Sequence, residues 1–394
     1  MKILLSHRYF WPDTAPYAFL LRATGEDMAQ AGHDVHVFAS KPSYRKNTDT
    51  KTPKQEMMGP LNVSRTWVFQ EAGAHVIIRA LNVFLYCMGL FLRTLRLRPD
   101  VVTASSFPPV FAGYAAGLGA KLTGAKFIYH CQDIHPEVSE LSGGAMGRGI
   151  FAKIFRWLDN QTLRRAAAIV VLSDDMAETI KQRNLGPLPI YVINNFALDS
   201  GAPLAPAPPE YAKPQGKQRV IFAGNIGRFQ NLGVLSTGIA QCFERHPDLE
   251  LFFLGDGKAL KDLKAQWAGH PQVKFAPFLP LDQAKPLIAE AEVGLVSLSE
   301  GIYKVAYPSK LLTYLGLGVP VLALTEPESE LSQSLTQAGM AQVPASAAPE
   351  DIAAALDALL ANPKPRTEIK DWYDATFSRQ LSTRKWSRIL DDIA

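Results

Sequence analysis

Tyr307-Pro308-Ser309-Lys310-Leu311-Leu312-Thr313-Tyr314-Leu315-Gly316-Leu317-Gly318-Val319-Pro320-Val321-Leu322-Ala323 reads as a helix that starts and stops just before a buried strand. Pro308 has no N–H to donate and suits a helix start, Ser309 and Lys310 follow it, and Gly318 ends the helix ahead of Val319–Leu324. Such a helix presents free backbone N–H groups at its N-terminus, and Lys310 adds a cation, which together suit a diphosphate. A plain helix start with a solvated lysine is the competing reading of the same residues.

Outward from this segment the chain alternates short apolar strands with helical stretches. The strands of this half read Gln218–Ala223, Leu249–Leu254, Val273–Ala276, Val293–Leu298 and Val319–Leu324. Before them, Ala202 to Gln218 is rich in Pro and Ala without an apolar period, as a linker would be. The first half repeats the alternation. Lys2–Ser6, a helix from about Tyr17 to Gln30 and His33–Ser40 form one unit, and Asp100–Ser105, a helix opened by Pro108-Pro109 and Ala125–His130 form another. Ala166–Ser173 leads to Asp174-Asp175 as predicted N-caps, and Pro189–Asn194 closes the half. This pattern predicts parallel sheets in two α/β domains, with ligands at the facing sheet ends. The predicted bounds are 1–200, a linker over 201–217, and 218–376, with an amphipathic helix over about 377–394 packing back on the first domain.

The 394 residues exceed one ordinary core, and 47% hydrophobic with 20% charged content excludes a disordered chain. Cys87, Cys131 and Cys242 are widely spaced, so neither a disulfide framework nor a thiolate zinc site is expected, and a reducing cytoplasm suits them. The N-terminus runs straight into a strand without a signal-peptide pattern. Leu81 to Leu92 is apolar but shorter than the roughly 20 residues that span a bilayer. Flanked by Arg79, Arg93, Arg96 and Arg98, it reads either as a helix covering the first sheet or as an interfacial helix on anionic lipid. Net charge is +4, yet residues 1–200 hold 22 Lys and Arg against 16 Asp and Glu, a bias suited to anionic lipid or a phosphorylated substrate. No nucleic-acid partner is expected.

Seven stretches in order carry a further signal: Tyr9–Asp13, Ala31–Val35, Gln132–Glu137, Val192–Phe196, Phe222–Arg228, Leu254–Gly257 and the segment at Tyr307. Over nearly the whole chain they resemble family-4 glycosyltransferases of the GT-B type, the bacterial polysaccharide and glycolipid branch. The resemblance implies a retaining, metal-independent transferase with two Rossmann-like domains across a cleft and no cofactor beyond its nucleotide-sugar donor. It places the donor on the second domain, at Asn225, Arg228, Gln230, Asp256, Gly257, Phe278, Ser309, Lys310 and Thr313, with Arg228 and Lys310 opposite the diphosphate. It places the acceptor, expected to be lipid-linked, on the first, near Asp13, Tyr17 and Glu137, with Asp133 or His135 orienting the acceptor hydroxyl or stabilising positive charge on the sugar ring.

The chain departs from the family pattern in three places. Val305 and Thr313 stand where many members carry glutamates, with Glu300 out of register; Phe229-Gln230-Asn231 lacks the usual lysine; and Ala15-Pro16 replaces paired glycines. A GT-B nucleotide-sugar epimerase and a non-catalytic sugar-nucleotide-binding protein are the rival readings.

Overall fold

The computed structural model describes residues 1–13, 15–43, 52–70, 75–198 and 204–394, with the side chains of Ala145 and Arg228 outside the described set. The chain forms two compact units, one of Met1–Asn194 with Ser382–Ala394 and one of Asn195–Leu381.

The first unit runs β1 (Lys2–Ser6), α1 (Pro16–Gln30), β2 (Asp34–Ser40), β3 (Gln55–Met58), β4 (Leu61–Thr66) and α2 (Val76–Leu97). It continues through β5 (Val101–Ser105), α3 (Phe111–Thr123), β6 (Lys126–His130), α4 (Glu137–Leu141), α5 (Gly149–Arg165), β7 (Ala168–Val171), α6 (Asp174–Lys181) and β8 (Ile190–Val192). Its eight strands lie in the order β3-β4-β2-β1-β5-β6-β7-β8, parallel except for β3 against β4. The order reverses between β1 and β5, which is where an open parallel sheet leaves a crevice at its strand ends.

β3 and β4 escape the sequence reading because they lack an apolar run. Ser64 and Arg65 of β4 are buried polar residues that bond the Val37 carbonyl and, for Arg65, Glu56 and the Trp11 carbonyl. The predicted cap at Asp174-Asp175 is also corrected: Ser173 is the N-cap, accepting from Met176 N at 3.2 Å, and both aspartates sit in the first turn, where they favour the helix dipole.

The second unit contains β9 (Gln218–Ala223), α7 (Leu232–Ala240), β10 (Leu249–Leu254), α8 (Leu260–Gln266), β11 (Val273–Ala276), α9 (Leu281–Ala289) and β12 (Val293–Ser297). α10 (Ser309–Gly316), β13 (Val321–Leu324), α11 (Glu330–Ala338), β14 (Ala341–Gln342), α12 (Pro349–Ala361) and α13 (Arg366–Phe377) follow. The six strands are parallel in the order β11-β10-β9-β12-β13-β14, with the reversal between β9 and β12. The Pro-rich stretch read as a linker is, from residue 204 on, part of this unit: Arg219 donates to the Tyr211 carbonyl at 2.9 Å and Lys213 N to Glu290 at 3.0 Å. Proline removed its helical and strand signals without preventing it from docking.

The last helix, α14 (Arg379–Ile393), starts after the predicted Phe377, which instead closes α13. Its Trp386, Ile389, Leu390 and Ile393 join the first unit's core beside Ile3, Val35 and Ile128.

The Leu81–Leu92 run lies inside a longer helix, α2, which packs on α3, β2 and β4. The helix spans 22 residues and by length and composition alone is long and apolar enough to cross a membrane. Its buried residues are Asn82, Tyr86, Leu90 and Thr94, while Leu81, Phe84, Met88 and Leu92 are exposed.

Candidate active site

In the second unit two glycine turns follow adjacent strands. Gly224 and Gly255 leave β9 and β10 with φ of 131° and 144°, in the region that favours glycine. The turns touch backbone to backbone: Gly224 N donates to the Leu254 carbonyl and Ile226 N to the Asp256 carbonyl, both at 2.9 Å. A Cβ on Gly255 would lie 1.9 Å from the Gly224 carbonyl oxygen. Gly255→Ala should therefore displace both turns and lower the melting temperature by several degrees, as read by thermal unfolding. A variant as stable as wild type would show the close approach to be dispensable.

α10 is set over these turns by Tyr314. Ala223 N donates to its hydroxyl at 2.8 Å, and its ring lies on Gly294 of β12, where a Cβ would come within 2.6 Å. One turn earlier, Lys310 is carried above the end of β9. Its Nζ lies 3.9 Å from the centre of the Phe222 ring, and its Cε would be 3.6 Å from a Cβ on Gly224. No carboxylate pairs with Lys310 among the described residues, and desolvation lowers its pKa from the ordinary lysine value to about 7. A buried hydroxyl without a partner, Ser297 Oγ, ends β12 nearby in the same crevice between β9 and β12.

The other residues read as donor contacts are distributed as follows. Asn225, Asp256 and Ser309 are exposed, Gly257, Gln230, Phe278 and Thr313 half-buried. The Asn225 amide lies between the two turns, near Gly227 and Gly257. Asp256 accepts from Gly257 N at 2.7 Å, and Gln230 Oε1 accepts from Gly227 N at 3.3 Å, so the Gln230 carbonyl steadies the turn and only its amide NH₂ is left as a donor. Arg228 begins a short 3₁₀ turn, but its side chain lies outside the described residues. Val305 is buried and Glu300 exposed, so no carboxylate occupies the Val305 position.

In the first unit the strand ends at the β1/β5 reversal carry His7 and Ser105, joined Nδ1 to Oγ at 2.5 Å. The sequence reading missed both residues, since a single histidine or serine after a strand carries no signal. Tyr17, read as an acceptor contact, bonds His130 Nδ1 at 2.8 Å, and its ring centre is 4.7 Å from that of His7. Burial holds both imidazoles down at about 3, so they are neutral hydrogen-bonding groups. Ser106 Oγ accepts from Gln132 N and Asp133 N, each at 3.1 Å, and so shapes the turn that presents Asp133. The Asp133 carboxylate has no bonded partner among the described residues, and burial raises its pKa to about 6. His135 is buried, its Nδ1 unpartnered and its pKa lowered by burial to about 4.

Two further residues read as acceptor contacts are engaged within the first unit. Asp13 is fully buried and accepts from Ser43 N at 3.2 Å, holding a loop. Glu137 has both oxygens engaged by Arg183, at 2.9 and 2.7 Å, and is bonded to Arg156 as well. Sequence reading overlooked Arg183, 46 residues away. Its guanidinium also donates to Asp159 at 2.6 Å, Asn160 at 3.1 Å and the His135 carbonyl at 2.8 Å. Among the described residues no group of three or more His, Cys, Asp or Glu side chains is placed to hold a metal ion.

Two Rossmann-like units of this kind are the fold of the GT-B glycosyltransferases. Residues 20–195, just under half of the chain, match the glycosyl transferase 4-like domain, and this match together with the relatives supports a family-4-like GT-B glycosyltransferase. It is similar to the probable glycosyltransferase WbjE of Pseudomonas aeruginosa, 26% identical over 66% of this chain and 65% of that one, so the match spans just under two thirds of that relative. It is also similar to the putative colanic acid biosynthesis glycosyl transferase WcaI of Escherichia coli, 24% identical over 98% of each. Among solved structures, a sucrose-phosphate synthase from Thermosynechococcus elongatus superposes with a TM-score of 0.78 at 13% identity, covering 100% of this chain and 99% of that one. HepE of Anabaena, solved with UDP-glucose, superposes at 0.68 with 16% identity over 99% of both chains.

Proposed function

We propose that the chain moves a hexose from a nucleotide-diphosphate sugar to a lipid-linked saccharide acceptor during synthesis of a bacterial surface polysaccharide or glycolipid. The anomeric configuration is retained, no metal or cofactor is required, and the protein works peripherally at the cytoplasmic face of the inner membrane. The observation that carries the reading is Lys310: a lysine without a carboxylate partner, set over two glycine turns at the strand ends, is built for an anion that brings its own negative charge. Lys310 and Arg228 then neutralise charge growing on the leaving diphosphate, the task a divalent ion performs elsewhere. The names of its relatives, WcaI in colanic acid biosynthesis and HepE bound to UDP-glucose, support a polysaccharide product and a UDP-sugar donor.

Asp133 is assigned to the acceptor side, where an ionised carboxylate orients the attacking hydroxyl and favours positive charge on the sugar ring. Transfer from radiolabelled UDP-hexoses to lipid extracts tests the proposal. Product should form with retained configuration by NMR, persist in EDTA, and fall about 100- to 1,000-fold in Asp133→Asn, the usual loss when one charge-stabilising group is removed. Activity abolished by EDTA and restored by a divalent ion would overturn metal independence. Conversion of donor without acceptor would favour the epimerase, whereas donor binding without turnover would favour the non-catalytic reading that Val305 and Thr313 in place of glutamates suggest.

A further inference from the structure

Two helices of the first unit turn apolar side chains to solvent. On α2, Phe84 is 58% exposed, and Val76, Ile77 and Met88 are exposed with it. The inward face carries Asn82 and Thr94 beside Tyr86 and Leu90, and the two polar residues are there for identifiable reasons. The Asn82 amide bonds both the N–H and the carbonyl of Phe69, at 2.8 and 2.9 Å, which pins the exposed Trp67–Phe69 segment beside the helix. Thr94 packs against Gly119 of α3, where a Cβ would come within 3.0 Å.

On α5 the buried residues are Asp159, Thr162 and Leu163, all in its second half. The first half shows Ile150, Phe151 (59% exposed), Ile154 and Trp157 (57% exposed). α3 packs against both helices, and its Phe111 lies 5.6 Å from Phe155 of α5, so one helical layer carries both stripes. A soluble protein seldom leaves so much contiguous apolar surface uncovered.

The charges on this layer select its partner. α2 carries Arg79, Arg93 and Arg96 and no Asp or Glu. α5 is preceded by Arg148 and contains Lys153, Arg164 and Arg165, while its one acid, Asp159, is buried and bonded to Arg183. We infer that α2 and α5 form one docking surface for an anionic lipid bilayer, in which the apolar stripes enter the interface and the flanking cations meet the headgroups. α5 also ties this surface to the acceptor loop: its Arg156 bonds Glu137 and Glu140 of α4, and Glu137 bonds the Arg183 that holds the His135 carbonyl. The tie to catalysis rests on the lipid-linked acceptor proposed above, whereas the docking surface does not.

The test uses the full chain with phosphatidylglycerol-containing and pure phosphatidylcholine vesicles, read by sedimentation. Wild type should bind the anionic vesicles and release as salt rises from about 0.05 to about 0.5 M. The triple variant Ile150→Ser, Phe151→Ser, Trp157→Ser should bind about tenfold or more weakly, and Phe84→Ser with Met88→Ser should act similarly. These side chains are exposed, so melting temperature and UDP binding should hold in both variants. Brominated lipid should quench wild type more than Trp157→Phe, an independent readout of insertion.

Equal binding to neutral vesicles, or an α5 variant that binds like wild type, would overturn the inference. So would a dimer in solution that these substitutions convert to monomer, since a second copy would then cover the face. Asp133→Asn should bind vesicles normally, and an inactive protein that still binds would remove the proposed reaction while leaving the surface in place.

Discussion

Replacing Arg183 by methionine should cost the first unit about 3–5 kcal/mol, the usual consequence of removing one partner from a buried ion pair. The side chain is 4% exposed and bonds Glu137 and Asp159, themselves largely buried. Burial opposes its charge, but the carboxylates of Asp159 and Glu137 win and hold Arg183 above the usual arginine range. Burial likewise pushes the Asp159 carboxyl up, with Arg183 and the Tyr129 hydroxyl at 2.8 Å opposing it. Methionine would fill much of the volume and leave both acids without a cation. At about 2–4 °C per kcal/mol for a domain of this size, the melting transition of the first unit should fall by about 6–20 °C. Arg183→Lys should fall less, because it keeps the charge and loses the fork that reaches Asp159, Glu137 and the His135 carbonyl together. An unchanged transition in Arg183→Met would mean that water relieves the two acids, and the network would lose its structural role.

Lys310→Ala should lower kcat/KM about 10- to 150-fold, which is the roughly 1.5–3 kcal/mol of one charge-assisted contact to the diphosphate. The fold should survive, since Lys310 pairs with no carboxylate among the described residues and its Nζ rests on the Phe222 ring. The pH dependence has a definite sign. With a pKa near 7, Lys310 of the free enzyme is charged below that value and neutral above it. A diphosphate binds the charged form, so donor affinity should weaken from about pH 7 to 9 and binding should take up a proton. Isothermal titration in buffers of different ionisation enthalpy reads that proton directly. Lys310→Ala should flatten the profile, and an identical profile in the variant would assign the titration to another group.

How far these residues were legible in the sequence differs between the two sites. Lys310 and the two glycine turns were visible because their meaning is local: a proline and a glycine bracket the helix, and a glycine after a strand marks a turn no other residue makes as cheaply. The ion pairs of Glu137 were not legible because its partners come from α5 and from Arg183 just after α6, and spacing along the chain carries no trace of that meeting. Arg183 looked like any surface arginine at a helix end for the same reason. β3 and β4 were invisible because a strand pair at the sheet margin whose inner member buries Ser64 and Arg65 has no hydrophobic alternation to read.

The alternation of strands and helices determined by itself that the chain builds two α/β units, because period and punctuation are properties of adjacent residues. It also determined that an apolar helix follows Arg79. Which side of that helix faces inward was decided only in three dimensions. Phe69 needed the Asn82 amide and Gly119 left room for Thr94, so the polar residues turned in and Phe84 and Met88 turned out. A helix as apolar as α2 has no strong polar face to orient it, so the neighbours it packs against set its rotation and thereby the surface it shows to its surroundings.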